Sequence, residues 1–312
     1  MCSKLCLWLP AFLLTALILA GCGAVADLPE PDAHLQLVAT TTIVGDIVRQ
    51  VAGEQVDLVV LLPVGVDPHA YEPRPQDVVA IAKARLVFAN GAGLEEFLQP
   101  VLESAGAQDR VVEVSKGIEL LPYNSASQPP EEAGHVLGDP HTWLDPNNVI
   151  LWSENISAAL SAADPAHAPE YEANAQRYIA ALRELDAWIA GQVAQLPPGR
   201  RKLVSDHRVL SYFAKAYGFE LLGEVIGSFS TNAQPSAQEL ANLEDHIRQF
   251  AVPVIFVDQT ANPNLSEQVA QDTGIRIVRL YAGSLGEAGS PAEDYLGLMR
   301  YNVNAIVNAL KE

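Results

Sequence analysis

The chain has 312 residues, 49% of them apolar, with 38 acidic against 19 basic side chains and a net charge of −19. So acidic a chain argues against nucleic acid or anionic lipid as its partner. The three cysteines, Cys2, Cys6 and Cys22, all fall in the first 22 residues, which excludes disulfides, thiolate zinc sites, iron–sulfur clusters and thiol catalysis from everything beyond them.

Residues 1–22 read as a leader: Lys4 is weakly basic, and Leu5 to Ala20 is an almost unbroken apolar run. That run is of signal-peptide length and short for a membrane span. Leu19-Ala20-Gly21-Cys22 reads as a bacterial lipobox, with cleavage before Cys22 and a lipid on its sulfur. An uncleaved anchor helix is the alternative, and both place the remainder outside the cytoplasm. Residues 23–36, with Pro29 and Pro31, are expected to be a flexible tether on which His34 is solvated. The roughly 290 residues that follow Cys22 exceed what one core usually takes, so two domains are expected.

From Leu37 the pattern alternates. Strands are predicted at Leu37–Ala39, Val56–Leu62, Leu86–Ala89 and Val111–Val114, and helices at Ile43–Ala52, Pro75–Ala84 and Leu94–Ser104. The continuous apolar run Val56–Leu62 predicts a strand buried on both faces. Pro122 to Gly138 is a polar loop with Glu131, Glu132 and His135, followed by a helix from Pro146 to Ala163. Tyr171, Ala175, Tyr178, Leu182, Leu185, Ile189, Val193 and Leu196 then recur at helical spacing. They predict a rod of about 40 Å. After Pro197-Pro198-Gly199 a second series begins: strands Lys202–Ser205, Glu220–Ile226, Val254–Val257 and Ile275–Leu280, with helices Val209–Tyr217, Ala237–Phe250, Leu265–Thr273 and Ala292–Leu310. The expected fold is therefore α/β, with a lobe over 37–165, a linking helix over 166–198 and a second lobe over 199–312. Each lobe is a mainly parallel sheet flanked by helices.

Three of the seven histidines sit where a strand or stiff loop gives way to a helix. His69 follows Asp67-Pro68, His141 follows Asp139-Pro140 and His207 follows Asp206. Proline holds the residue before it extended, and Asp145-Pro146 is a carboxylate N-cap followed by a first-turn proline. Stiff loops lose little entropy on coordination, and ligands of parallel sheets gather beyond the strands' carboxyl ends. His69, His141 and His207 are expected to meet in a cleft around one divalent transition metal. His34, His135, His167 and His246 read as solvated.

Several stretches then carry a resemblance. They are Val38-Ala39-Thr40-Thr41-Thr42-Ile43-Val44-Gly45-Asp46, Gly65-Val66-Asp67-Pro68-His69-Ala70-Tyr71-Glu72-Pro73 and Asp139-Pro140-His141-Thr142-Trp143-Leu144-Asp145-Pro146. Asp206-His207, Tyr212-Phe213-Ala214-Lys215-Ala216-Tyr217-Gly218, Pro235-Ser236-Ala237 and Tyr295 to Asn302 continue the order. Together they resemble the solute-binding lipoproteins of metal-uptake ABC transporters, the cluster A-I (cluster 9) family that serves zinc and manganese. The resemblance implies two lobes joined by one long rigid helix, with the metal between them. It implies an extracytoplasmic monomer, lipid-anchored through Cys22 at the membrane's outer face or periplasmic, and an ABC permease with its ATPase as partners.

On the same footing His69, His141 and His207 are the metal ligands. The fourth is usually an aspartate in a Tyr-Thr-Asp-Ser-Leu-like turn, but here the turn reads Tyr281-Ala282-Gly283-Ser284-Leu285. Gly283 offers no side chain, which leaves the fourth position open, taken by water, or supplied by Glu287 or Asp258. Three imidazoles favour Zn2+, with Mn2+ the alternative that harder oxygen ligands would suit. Ligating imidazoles must be neutral, so binding is expected to weaken below about pH 6.5. Asp67, Asp139 or Asp206 is expected to orient a ring through its second nitrogen. A secreted zinc hydrolase and an adhesive lipoprotein are the rival readings. The chain has no His-Glu-x-x-His or Gly-x-Ser-x-Gly, and Glu72 reads as structural, so no enzyme is expected.

Overall fold

The computed structural model describes residues 34–54, 56–122 and 138–311. The leader with Cys22, nearly all of the expected tether, and the stretch carrying Glu131, Glu132 and His135 lie outside the described residues.

Strands β1 (Leu35–Ala39), β2 (Val56–Val60), β3 (Leu86–Ala89) and β4 (Val111–Glu113) form a parallel sheet in the order β2-β1-β3-β4. In the second half β5 (Lys202–His207), β6 (Glu220–Ile226), β7 (Val254–Asp258) and β8 (Arg276–Leu280) repeat that winding as β6-β5-β7-β8. In both sheets the chain steps to one side of its first strand, then crosses back to the other. The strand order reverses there, and the crevice beyond the carboxyl ends at such a reversal is where these sheets bind ligands. The two-lobed α/β architecture expected from the alternating pattern is thus the architecture found.

The helices are α1 (Thr42–Ala52), α2 (Pro75–Lys83), α3 (Leu98–Ala105), α4 (Pro146–Ala163), α5 (Ala168–Val193), α6 (Ser211–Tyr217), α7 (Ala237–Gln249), α8 (Asn264–Thr273) and α9 (Tyr295–Lys311). The hydroxyl of Thr41 accepts from the Val44 N–H at 3.2 Å and starts α1, satisfying one of the donors a helix N-terminus leaves free. Gly45 lets α1 lie close on the first sheet, because a Cβ there would stand 2.6 Å from Cγ2 of Val60. Helix α5 has 26 residues, a rod of about 39 Å, and it packs on α1 and α4 in one direction and α9 in the other. Its buried stripe runs Tyr171, Ala175, Tyr178, Leu182, Leu185, Ile189, Val193.

That stripe belongs to a single apolar cluster that includes side chains of β1, α1, α4, α5, β5, α6 and α9. Two smaller cores lie to either side, one under α2 and α3 and one under α7 and α8. The lobes therefore share their largest core, and Leu35–Glu312 is one compact unit. Buried hydrogen bonds pin the lobes as well. The Trp143 indole N–H donates to the Ala282 carbonyl at 2.9 Å, and the Tyr295 hydroxyl to the Trp143 carbonyl at 2.7 Å. The Tyr295 N–H donates to Asp46 at 2.9 Å, the Leu285 N–H to the Thr42 hydroxyl at 2.9 Å, and the Tyr212 hydroxyl to the Asp139 carbonyl at 2.8 Å.

Two sequence expectations are corrected. Strand β2 is an edge strand with Val59 48% exposed, so its apolar run is not buried on both faces. Helix α3 begins at Leu98 and not at Leu94. The reason is Glu95, which turns back to accept from Thr40 Oγ1 at 2.7 Å and from the N–H groups of Asn90 and Gly91 at 2.6 and 3.1 Å.

The shared core predicts how the fold fails. Leu182 is fully buried, and Leu182→Ala is expected to cost about 2–5 kcal/mol, with both lobes unfolding in one denaturant transition. A loss under about 0.5 kcal/mol, the size of a surface substitution, would contradict that placement of α5.

Candidate metal centre

The local sequence fixes the backbone at each histidine. In both Asp-Pro-His stretches the aspartate side chain accepts the N–H of the histidine two residues on, at 2.9 Å for Asp67 to His69 and 2.9 Å for Asp139 to His141. The proline between carries no N–H to compete. Asp206, just before His207 at the end of β5, accepts the His207 N–H at 2.7 Å and the Asp258 N–H at 2.8 Å. It thereby joins the neighbouring strands β5 and β7 at the reversal point.

Two of the carboxylates also grip the rings. Asp139 Oδ1 lies 2.8 Å from His141 Nδ1, and Asp206 Oδ1 lies 2.9 Å from His207 Nδ1. An ionised carboxylate only accepts, so Nδ1–H donates and Nε2 is the nitrogen turned to the cleft. Asp67 holds the backbone of His69 and not its ring. Of the three aspartates expected as orienting groups, Asp139 and Asp206 occupy that position.

The structure brings His69, His141 and His207 together. Their ring nitrogens form a group whose members all lie within 4.8 Å of one another, and His69 Nε2 is 3.1 Å from His141 Nε2. Ring centroids are 5.2, 5.8 and 5.2 Å apart, with interplanar angles from 63° to 82°. Rings set edge to edge in this way point nitrogens at a common centre and do not stack. For comparison, a tetrahedral zinc with bonds of about 2.0–2.1 Å separates its donor atoms by about 3.3 Å. His141 and His207 are 1% and 2% exposed, while His69 is half-buried and marks the open side. Trp143 and Phe229 wall the site, 5.3 and 6.3 Å from the His141 ring.

The ordinary imidazole value fails for all three rings. Burial, then the neighbouring His141 and His207, pushes His69 well below it. Burial also lowers His141, more than Asp139 raises it. Burial opposes charge on His207 too, but the charge and hydrogen bond of Asp206, with Asp258 and Asp67 behind, lift it to about 9. The centre so favours two neutral rings and one positive charge.

The turn at Gly283 explains the missing carboxylate. Asp258, 3% exposed, accepts from the N–H groups of Ala282 and Gly283 at 3.1 and 3.0 Å and from the Thr260 N–H and hydroxyl at 3.3 and 2.6 Å. A Cβ at position 283 would lie 2.8 Å from Asp258 Oδ2, 2.9 Å from Thr260 Oγ1 and 3.1 Å from Pro68 Cδ. Asp258 braces the turn from the space a side chain at 283 would need. Neither Asp258 nor the exposed Glu287 belongs to the histidine group among the described residues. His34, His167 and His246 are exposed, and His167 pairs with Asp164 at 2.7 Å. Two features escaped sequence reasoning. One is the brace of Asp258, although Asp206 and Asp258 both end neighbouring strands. The other is the Trp143 hydrogen bond across the lobes.

Known proteins resemble the chain over nearly all its length. The manganese-binding lipoprotein MntA of Halalkalibacterium halodurans is 36% identical over 299 residues, 95% of this chain and 96% of that protein. The iron ABC transporter substrate-binding lipoprotein MtsA of Streptococcus pyogenes is 30% identical over 315 residues, 99% of each. The solved periplasmic zinc-binding protein TroA of Treponema pallidum superposes with a TM-score of 0.79 at 28% identity, covering 89% of this chain and 99% of that one. Residues 37–309 match the family described as zinc-uptake complex component A, periplasmic (ZnuA), and the chain belongs to that family.

Proposed function

We propose that this protein captures one divalent transition metal ion through Nε2 of His69, His141 and His207 and delivers it to an ABC permease. The observation that carries the reading is the 3.1 Å approach of the Nε2 atoms of His69 and His141, with the ring of His207 beside them. Two such nitrogens share either a proton or an ion, and burial, which lowers both rings, disfavours the proton. Zinc is the favoured cargo because all three donors are nitrogen and, among the described residues, no carboxylate joins them. The relatives are named for manganese, iron and zinc, so the donor set and not kinship supports that choice.

The relatives' description as lipoproteins supports a protein held outside the cell membrane by a lipid on Cys22. Among the described residues no helix is long and apolar enough to cross a membrane. The role is carriage without chemistry. A hydrolase would require a general base within hydrogen-bond reach of a metal-bound water, and Glu72 is exposed at the entry to α2.

Titration calorimetry on residues 23–312 is expected to give one zinc per chain. His207→Ala should weaken it by on the order of 100-fold or more, beyond the 10–100-fold typical of losing an outer partner. Unchanged affinity would remove His207 from the site.

Because His207 is charged up to about pH 9, metal must displace its proton. At pH 7.5, calorimetry in buffers of different ionisation enthalpy should show about one proton released per ion. Affinity should rise about tenfold per pH unit towards pH 9 and then level. Proton release near zero would contradict the assignment.

The metal-free protein should carry the same signature. A folded-state value raised above 6.5 gives stability that is present at low pH and lost as pH climbs through about 9. His69 and His141, lowered, act oppositely and withdraw stability as pH falls below 6.5. Melting curves should place the metal-free optimum just above pH 6.5, with stability falling from there to about pH 9, and Asp206→Asn should remove that alkaline loss. A variant that keeps the full alkaline loss would show that Asp206 is not its source.

A further inference from the structure

Residues 227–236, between β6 and α7, cross the cleft. Their base is tied beside one candidate ligand, since the Arg208 N–H, next to His207, donates to the Ser228 carbonyl at 3.0 Å. Phe229, 5% exposed, anchors the loop against the His141 ring. Inside the loop the Ser230 N–H donates to the Ser228 hydroxyl at 3.1 Å and the Asn232 N–H to the Ser230 hydroxyl at 3.3 Å, which holds its tip in one shape.

The tip reaches the other lobe at His69. The Asn232 side-chain N–H donates to the His69 carbonyl at 2.7 Å, and the Thr231 hydroxyl donates to Asp67 Oδ2 at 2.6 Å. The other oxygen of Asp67 receives the His69 N–H at 2.9 Å. Both backbone polar groups of His69 are therefore held, the carbonyl directly and the N–H through Asp67, by two neighbouring residues of the second lobe.

These bonds differ from the buried ones that pin the lobes at Trp143, Thr42 and Tyr295. Thr231 is half-buried and Asn232 is exposed, so water competes for each bond and its loss strands no buried donor. The same residues help wall a cavity of about 570 Å³ that Asp67, Asp206 and His207 also line. Release of the tip would free the most exposed of the three rings and widen the cavity reaching His207, while the buried pair stays in place.

We infer that Thr231 and Asn232 are positioning residues that latch His69 across the cleft and set how long the metal is held. The inference rests on the reading of His69 as a ligand. Its mechanism is orientation: with the latch made, the Nε2 of His69 stays opposed to that of His141. With the latch broken, His69 leaves the coordination sphere first. Transfer of the ion then starts from a two-histidine site, which holds it more weakly.

The test is zinc dissociation into excess chelator, followed by stopped flow on the zinc-loaded protein. Thr231→Val combined with Asn232→Ala is expected to release zinc about 10–100 times faster, the range for outer partners of metal ligands. One zinc per chain and the metal-free melting temperature should stay as in the parent, and restoring the hydroxyl with Thr231→Ser in the Asn232→Ala background should recover much of the slow release. A purely structural role would instead lower the metal-free melting temperature and leave the release rate alone. A double variant within about twofold of the parent's rate, well inside the range expected, overturns the latch while leaving the three-histidine reading standing. A parent protein that holds no zinc overturns both.

Discussion

The structure depends on the grip of Asp139 on His141 and of Asp206 on His207. Each carboxylate takes a backbone N–H and a ring N–H on the same oxygen. Each ring is thereby fixed in position and tautomer at once. Asp139 is fully buried and Asp206 nearly so, which makes these bonds stronger than they would be in water. Asp206 also receives the Asp258 N–H, and Asp258 in turn ties the turn at Ala282 and Gly283. The second lobe's half of the site is one continuous network of charge and amide.

The two halves of the site face each other because a shared core and buried bonds join the lobes. A conventional pair of lobes on a flexible linker exchanges open and closed forms by hinge motion. Here the cluster that α5 anchors includes side chains of both sheets, and Trp143, two residues after His141, bonds the opposite lobe. Movement is left to parts with few buried contacts, and the loop at Thr231 and Asn232 is one of these. A rigid frame with a small releasable piece suits a carrier that must hold an ion tightly and still give it up.

Much of this was legible in the residues. The 3.6-residue stripe from Tyr171 to Val193 predicted α5, and the strand–helix alternation predicted both sheets. Asp-Pro-His twice, and Asp-His at a strand end, singled out the three histidines. What was not legible depends on contacts distant in sequence. Periodicity cannot tell an edge strand from a central one, so Val56–Leu62 read as doubly buried. Glu95 looked like an ordinary helical residue because it bonds Thr40, on another loop, and turns back on the Asn90 backbone of its own. Gly283 read as a missing ligand, and only the position of Asp258 shows why a side chain is excluded there. The split of the three imidazoles into two lowered and one raised likewise needs the carboxylates around His207.

X-ray absorption at the zinc edge, on protein loaded with one equivalent of zinc, tests the central claim most directly. The account predicts three imidazole nitrogens at about 2.0–2.1 Å, with at most one oxygen donor from solvent completing the shell. A spectrum dominated by oxygen, or one with fewer than two imidazole nitrogens, would contradict it.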